Sequence, residues 1–311
     1  MIKRALVTGG TGVTGVALVR FLLENNIKTT AFIRPGSNRR SYLPKNDKNL
    51  TIIECGMEDY DHAEQMVGPA KFDAFFHLAW EGSAGKNKVN NRNNFKLQNK
   101  NIEYTIEAVE LCHRLQCPLF LATGSQAEYG RKEWLVSEDM EEKPENGYGM
   151  AKLCAGGMTR LLCKEYEIKH IWVRLFSIYG PFDGTESLID SSIRKLLKGE
   201  KPIYTKGEQQ WDYLYSFDAA NALYLLAENG VSGEVYNVGA GMTKSLSEYI
   251  KILHDIVAPE IGPLLGTVPY KDSQVMMLGA NIGKLVKTTG FSPKTSFDKG
   301  IAFVLDSIKA E

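Results

Sequence analysis

Apolar residues in the first two-thirds of the chain follow two alternating rhythms. Short unbroken runs rich in Val, Ile, Leu and Phe predict strands over 4–8, 28–33, 50–54, 74–79, 119–123 and 171–175. Between them apolar positions recur every three or four residues, predicting helices over 13–24, 61–67, 101–115 and 149–166. Strand–helix alternation at this spacing predicts right-handed βαβ units, and a run such as Ala5-Leu6-Val7 suits a strand covered by helices on both faces. The expected class is α/β, with a doubly wound parallel sheet. After Leu175 the pattern breaks: Gly180-Pro181, Gly184, Gly199, Pro202, Gly207, Pro259 and Gly262-Pro263 punctuate a stretch that reads as mostly loop. One more helix over 218–228 and a strand over 235–238 return to the sheet. The expected division is therefore residues 1–175 with 213–240 in one domain, and 176–212 with 241–311 in a smaller lobe at the sheet's carboxyl edge.

Composition narrows the classes. The 311 residues suffice for about two domains with a buried core. Thirty-seven basic residues balance thirty-seven acidic ones, so no electrostatic footprint for nucleic acid or an anionic membrane is expected. No apolar run approaches the length of a membrane helix, and the one after Arg4 is too short for a signal peptide. Five cysteines without a CxxC pair or histidine cluster predict buried thiols in a reducing, cytoplasmic compartment and no metal site.

Candidate chemistry begins at residues 8–15, TGGTGVTG. Gly9, Gly12 and Gly15 follow a strand and open a helix, which provides a tight turn, close backbone approach and free helix-end N–H groups for a pyrophosphate. The second strand ends in Arg34, with Arg39 and Arg40 close behind and no acid between. Guanidinium groups there match a ribose 2′-phosphate better than a free 2′-hydroxyl, which predicts NADP(H) as the preferred cofactor and NAD(H) as the alternative. Tyr148 and Lys152 lie four apart on a predicted helix. A nearby ammonium lowers a phenol's pKa, making Tyr148 a proton donor or acceptor for a carbonyl or carbinol oxygen. Ser125, at the end of the fifth strand, offers a hydroxyl to the same oxygen.

With these residues in view the chain resembles the extended short-chain dehydrogenases/reductases, the family of nucleotide-sugar epimerases, dehydratases and reductases. The landmarks are TGGTGVTG, His77-Leu78-Ala79-Trp80, Asn101, Ser125, Tyr148 with Lys152, residues 174–181 (RLFSIYGP), Trp211-Asp212-Tyr213 with Asp218, and residues 236–239 (YNVG). The resemblance implies a Rossmann-like sheet with a smaller C-terminal substrate-binding lobe. It implies a catalytic triad of Ser125, Tyr148 and Lys152, supported by Asn101. It further implies that Gly9, Thr11, Gly12, Val13, Gly15, Arg34, Met57, Leu78 and Ala79 hold the cofactor with Tyr148 and Lys152. Trp80, Glu81, Gln126, Ser177, Trp211 and Lys271 are the substrate candidates. Relatives dimerise through helices corresponding to 101–115 and 149–166, where Ile106, Val109, Met158 and Leu162 serve either such a bundle or packing on their own sheet.

Departures from the family pattern refine the expectation. The 4,6-dehydratases carry an acid two positions after the triad hydroxyl, often with Asp before it; here Gln126 and Ala127 occupy those places, and Glu128 is one step further, expected on the opposite side. Epimerases keep an acid where Arg34 stands. The expectation is NADPH-dependent reduction of a nucleotide-linked 4-keto-6-deoxyhexose, with a C4 epimerase as the alternative and a non-catalytic cofactor-binding protein behind both. His77 is expected to pack rather than to act as a base, Asp218 to cap a helix, and Cys154 and Cys163 to be helix-packing thiols; Arg92 is left between a solvated loop and a phosphate contact.

Overall fold

The computed structural model describes residues 1–83, 87–272 and 274–311. Its centre is a seven-stranded, all-parallel sheet: β1 (Arg4–Thr8), β2 (Lys28–Ile33), β3 (Leu50–Glu54), β4 (Ala74–His77), β5 (Leu119–Ser125), β6 (Lys169–Leu175) and the later β10 (Glu234–Val238), in the order β3-β2-β1-β4-β5-β6-β10. The first three strands match the hydrophobic runs residue for residue. The sheet alternates its side chains between two apolar layers. Ala5, Val7, Ala31, Ile33 and Phe76 face α1 (Val13–Glu24), with α7 (Ser216–Asn229) and α9 (Gly283–Thr289). Leu6, Phe32, Phe75 and Phe120 face α2 (Glu64–Val67), α4 (Phe95–Arg114) and α5 (Gly147–Glu165) on the other side, where the short α3 (Lys88–Arg92) also packs. Helix α4 starts well before the expected residue 101, because Asn94 caps it by accepting from Leu97 N at 3.2 Å.

The stretch read as mostly loop is a correction. It carries α6 (Leu188–Leu197), α8 (Leu246–Val257), α9 and α10 (Phe297–Lys309), with four small strands between α6 and α10. The glycines and prolines that suggested loop sit at helix ends: Gly199 follows α6, Pro259 follows α8, and Gly290 closes α9 in a left-handed conformation. Inside the helices, Ile189, Ile193 and Leu196, then Leu253, then Ile301, Val304 and Leu305 share one buried cluster. Ser187 and Ser245 cap α6 and α8.

Two of the short strands bring this region to the site. β7 (Ser177–Tyr179) pairs in parallel with β9 (Tyr213–Tyr215), while β8 (Gln210–Trp211) lies between β11 (Lys244–Ser245) and β12 (Met277–Leu278). Asp212, fully buried between β8 and β9, accepts from Ala240 N at 2.6 Å, Gly241 N at 3.1 Å and Ala280 N at 3.2 Å, which ties these strands to the end of β10. Asp218 does not cap α7: the helix already starts at Ser216, and the Asp218 carboxylate instead accepts from Lys294 N and Thr295 N.

Candidate active site

The strand order reverses at β1, whose neighbours are β2 and β4, and a crevice opens there at the carboxyl ends of the strands. The cleft has a volume of about 1040 Å³ and runs from the glycine turn, past the ends of β4 and β5, to the β7, β8 and β9 region.

At one end the turn after β1 leaves no room for side chains. Gly9 has a φ of +68°, and a Cβ there would lie 2.7 Å from Ala79 N and Leu78 C; one on Gly15 would lie 2.1 Å from Gly9 O. The backbone thus presses against the start of α1, whose N-cap Gly12 offers no side-chain acceptor, so the first-turn amides keep their donors free. Gly9, Gly12, Val13, Gly15 and Leu78 all line the cleft. This is a cradle that a pyrophosphate fits.

The other expected cofactor residues are distributed differently. Arg34 is exposed and forms no wall of the cleft; Arg40 pairs with Glu54 at 3.6 Å. Arg39 does reach the cleft, donating to Thr11 O at 2.8 Å and to Phe182 O across the mouth, with Tyr42 stacked on Phe182. Met57 packs beside the core of the sheet's second face and does not line the cleft. Ala79 contributes its amide, 3.4 Å from Thr8 Oγ1.

At the centre the structure brings Ser125, Tyr148, Lys152, Trp80 and Gln126 to one wall. Ser125 ends β5, and its Oγ accepts from Ala127 N at 3.1 Å. Tyr148 enters on the first turn of α5, whose N-cap Asn146 accepts from Gly149 N at 2.9 Å. Burial pushes the Tyr148 phenol up and Glu128 adds to this, while the Ser125 hydroxyl and the Arg92 guanidinium pull it back. One turn further on, Lys152 Nζ donates to Thr123 O at 2.6 Å and lies 3.7 Å from the Trp80 ring centroid. Desolvation pushes that ammonium down to about 7, with Glu128 opposing. The guanidinium over the Tyr148 ring belongs to Arg92, and Lys152 is turned to Thr123 and Trp80 instead.

Two flanking residues fix this wall. Asn101 is buried and clasps the chain after β4, its Oδ1 accepting from Glu81 N at 2.9 Å and its Nδ2 donating to Glu81 O at 3.1 Å. The Glu81 side chain is exposed and outside the cleft. Glu128 is fully buried behind the cleft and does not line it. It accepts from Ser125 N at 2.7 Å, from Trp172 Nε1 at 3.1 Å and from Arg174 Nε at 2.6 Å. His77 is buried against Thr8 Oγ1 at 2.9 Å, and burial holds it down to about 3, so it stays neutral.

On the lobe side Ser177, Trp211 and Tyr213 line the cleft, whereas Lys271 is exposed and does not. The loop of Asp183, Gly184, Thr185 and Glu186 also forms wall. Sequence reasoning passed over it as punctuation, although a glycine-bearing loop after a landmark motif was the available signal.

The profile of the NAD dependent epimerase/dehydratase family matches residues 5–239. The chain belongs to that family. It is thus an enzyme of the epimerase/dehydratase family, of oxidoreductase type. Over nearly their whole lengths the chain is similar to a dTDP-glucose 4,6-dehydratase of Neisseria meningitidis, at 26% identity with 96% of this chain and 91% of that one covered. It is also similar to a CDP-abequose synthase of Salmonella typhimurium, at 24% identity with 96% of both covered. In fold it is similar to a UDP-N-acetylglucosamine 4-epimerase from Methanobrevibacter ruminantium solved with UDP-N-acetylmuramic acid, at a TM-score of 0.86 and 24% identity, covering 99% of this chain and 98% of that one.

Proposed function

We propose that this protein reduces the 4-keto group of a nucleotide-diphospho-4-keto-6-deoxyhexose, using NADPH. The observation that carries the reading is the wall of the cleft at Ser125: a buried phenol and a buried lysine converge there, while the next two positions, Gln126 and Ala127, hold no acid and Glu128 is committed to Arg174. Proton transfer at a carbonyl oxygen is provided for. The carboxyl chemistry of water elimination is not. Similarity to the CDP-abequose synthase and the dTDP-glucose 4,6-dehydratase supports a nucleotide-linked hexose as substrate.

A nicotinamide cofactor, its pyrophosphate held by the glycine cradle, would supply a hydride to C4. Ser125 donates a hydrogen bond to the C4 oxygen and polarises it. Tyr148 donates its phenolic proton to that oxygen as the carbinol forms, and a proton from solvent restores the phenol. Lys152 holds positive charge one helical turn away. Trp80 walls the sugar end, and Ser177 and Trp211 face it from the lobe, with 1–175 and 213–240 serving the cofactor and 176–212 and 241–311 the nucleotide sugar. Arg34 and Arg39 favour a 2′-phosphate, hence NADP(H) over NAD(H). The exposed Met150, Cys154, Met158 and Leu161 on α5 support a homodimer, and five unpaired cysteines suit the cytoplasm.

A second reading, C4 epimerisation with a retained cofactor, is favoured by the full-length likeness in fold to a 4-epimerase. Oxidation of NADPH and of NADH, measured in parallel with dTDP-, CDP- and GDP-linked 4-keto-6-deoxyhexoses, separates the two. NADPH consumption with one of them is expected, with NADH slower. Cofactor that copurifies and interconverts C4 epimers of UDP-sugars without net consumption would establish the epimerase instead. Tyr148→Phe should lower turnover by about a hundredfold or more while sparing NADPH binding.

A further inference from the structure

Arg92 occupies a place in the cleft that the triad does not explain. Its Cζ lies 4.9 Å from the centroid of the Tyr148 ring. The residue comes from α3, which packs against both α4 and α5, and the next residue, Asn93, accepts from Gly147 N at 3.3 Å, directly before Tyr148. The segment carrying the guanidinium is therefore fastened to the helix end carrying the phenol. Arg92 is half-buried, and among the described residues it forms no ion pair and its buried Nε has no hydrogen-bond partner. The face of the Tyr148 ring supplies negative potential to a guanidinium whose Nε is out of water.

We propose that Arg92 is a positioning residue of the reaction, stacked on the Tyr148 ring so that its fixed positive charge stabilises the phenolate left when Tyr148 gives up its proton. The proposal rests on the reading of Tyr148 as the proton donor. The charged and polar groups facing Tyr148 come from four elements. Ser125 lies on β5 and Glu128 on the turn after it, with Glu128 opposing ionisation; Lys152 lies on α5 with its ammonium on Thr123 O; Arg92 lies on α3. Lys152 loses its proton near neutrality, because burial has pushed it down to about 7. A guanidinium keeps its charge at every working pH. Above neutrality Arg92 is thus, among the described residues, the cation that stays beside the phenol, and its ring-stacked geometry also restricts where the phenol oxygen points.

The test uses the full chain grown with fluorotyrosine, whose lower pKa brings the phenols into an accessible pH range. The ¹⁹F resonance missing from Tyr148→Phe identifies Tyr148. In Arg92→Gln its titration midpoint should rise by about one pH unit, with the other tyrosine resonances unmoved; in Arg92→Lys it should stay near the parent value. A midpoint unchanged in Arg92→Gln, or raised equally in both variants, would overturn the proposal. So would a kinetic result with the 4-keto-6-deoxyhexose nucleotides in which Arg92→Gln raises KM alone, since that assigns Arg92 to the substrate. Undiminished turnover in Tyr148→Phe would instead defeat the catalytic reading of Tyr148, and the midpoint comparison would still stand.

Discussion

Lys152 has exchanged water for a single carbonyl, Thr123 O, and the face of Trp80. Below about neutral pH the folded protein therefore buries a charge that the unfolded chain keeps solvated. The sign follows from linkage: the unfolded lysine binds its proton up to the ordinary range, the folded one only to about 7, so stability rises with pH between these values. Lys152→Met should be more stable than the parent by about 2 kcal/mol at about pH 6, and urea unfolding should show the gap closing toward about pH 10 as turnover is lost. Residues of this kind were legible in the sequence as types and spacing. Tyr148 and Lys152 four apart, with Ser125 upstream, predicted one wall, and all three line it. Their electrostatics were not legible. Which cation faces the phenol depends on α3 reaching α5 across the chain, and nothing local to Arg92 encodes that contact. Arg34 shows the converse: its position after β2 was read correctly, yet its side chain is exposed while Arg39 bridges the cleft mouth.

The elements that make the site were legible where one physical demand dominates. The glycine turn is such a place, because Gly15 lies against Gly9 O with no room for a methyl group. Gly15→Ala should lower stability by about 2 kcal/mol and weaken NADPH binding at least about tenfold, measured by thermal unfolding and cofactor titration on one preparation. Unchanged affinity would mean that the turn does not cradle the pyrophosphate. Strands β1 and β2 were legible because, after their first residue, both faces are buried and every position is apolar or small; the half-buried edge strand β3 was legible from Leu50, Ile52 and Ile53 alone. The helices of the C-terminal region were missed for an equally physical reason. α6, α8 and α10 bury only one stripe each, and Gly199 after α6 and Pro259 after α8 outweighed that stripe in a local reading.

At the scale of the whole molecule the open question is what covers α5. Met150, Cys154, Met158 and Leu161 recur along its solvent side, with Leu161 63% exposed, while Val109 and Cys163 are core residues. Cys154 is therefore no packing thiol of the monomer, whereas Cys163 is buried as expected. This is the face that the proposed homodimer would cover. The double variant Met158→Lys with Leu161→Glu should sediment as a monomer where the parent sediments as a dimer. A parent that is already monomeric would remove the dimer from the account.

The sequence by itself determined the class of fold and singled out candidate residues, of which Ser125, Tyr148 and Lys152 line one cleft. Hydrophobic periodicity is set residue by residue by which side must leave water, and a tight turn needs glycine wherever the chain makes it. Only the tertiary structure decided how the groups act on one another. The cleft exists because β7, β8 and β9 come over the carboxyl ends of strands as distant in the chain as β1, β4 and β5. Within it, the charge on Lys152, the stacking of Arg92 and the withdrawal of Glu128 are set by desolvation and by distances between residues far apart in the chain. Coulomb energy and burial depend on those separations in space.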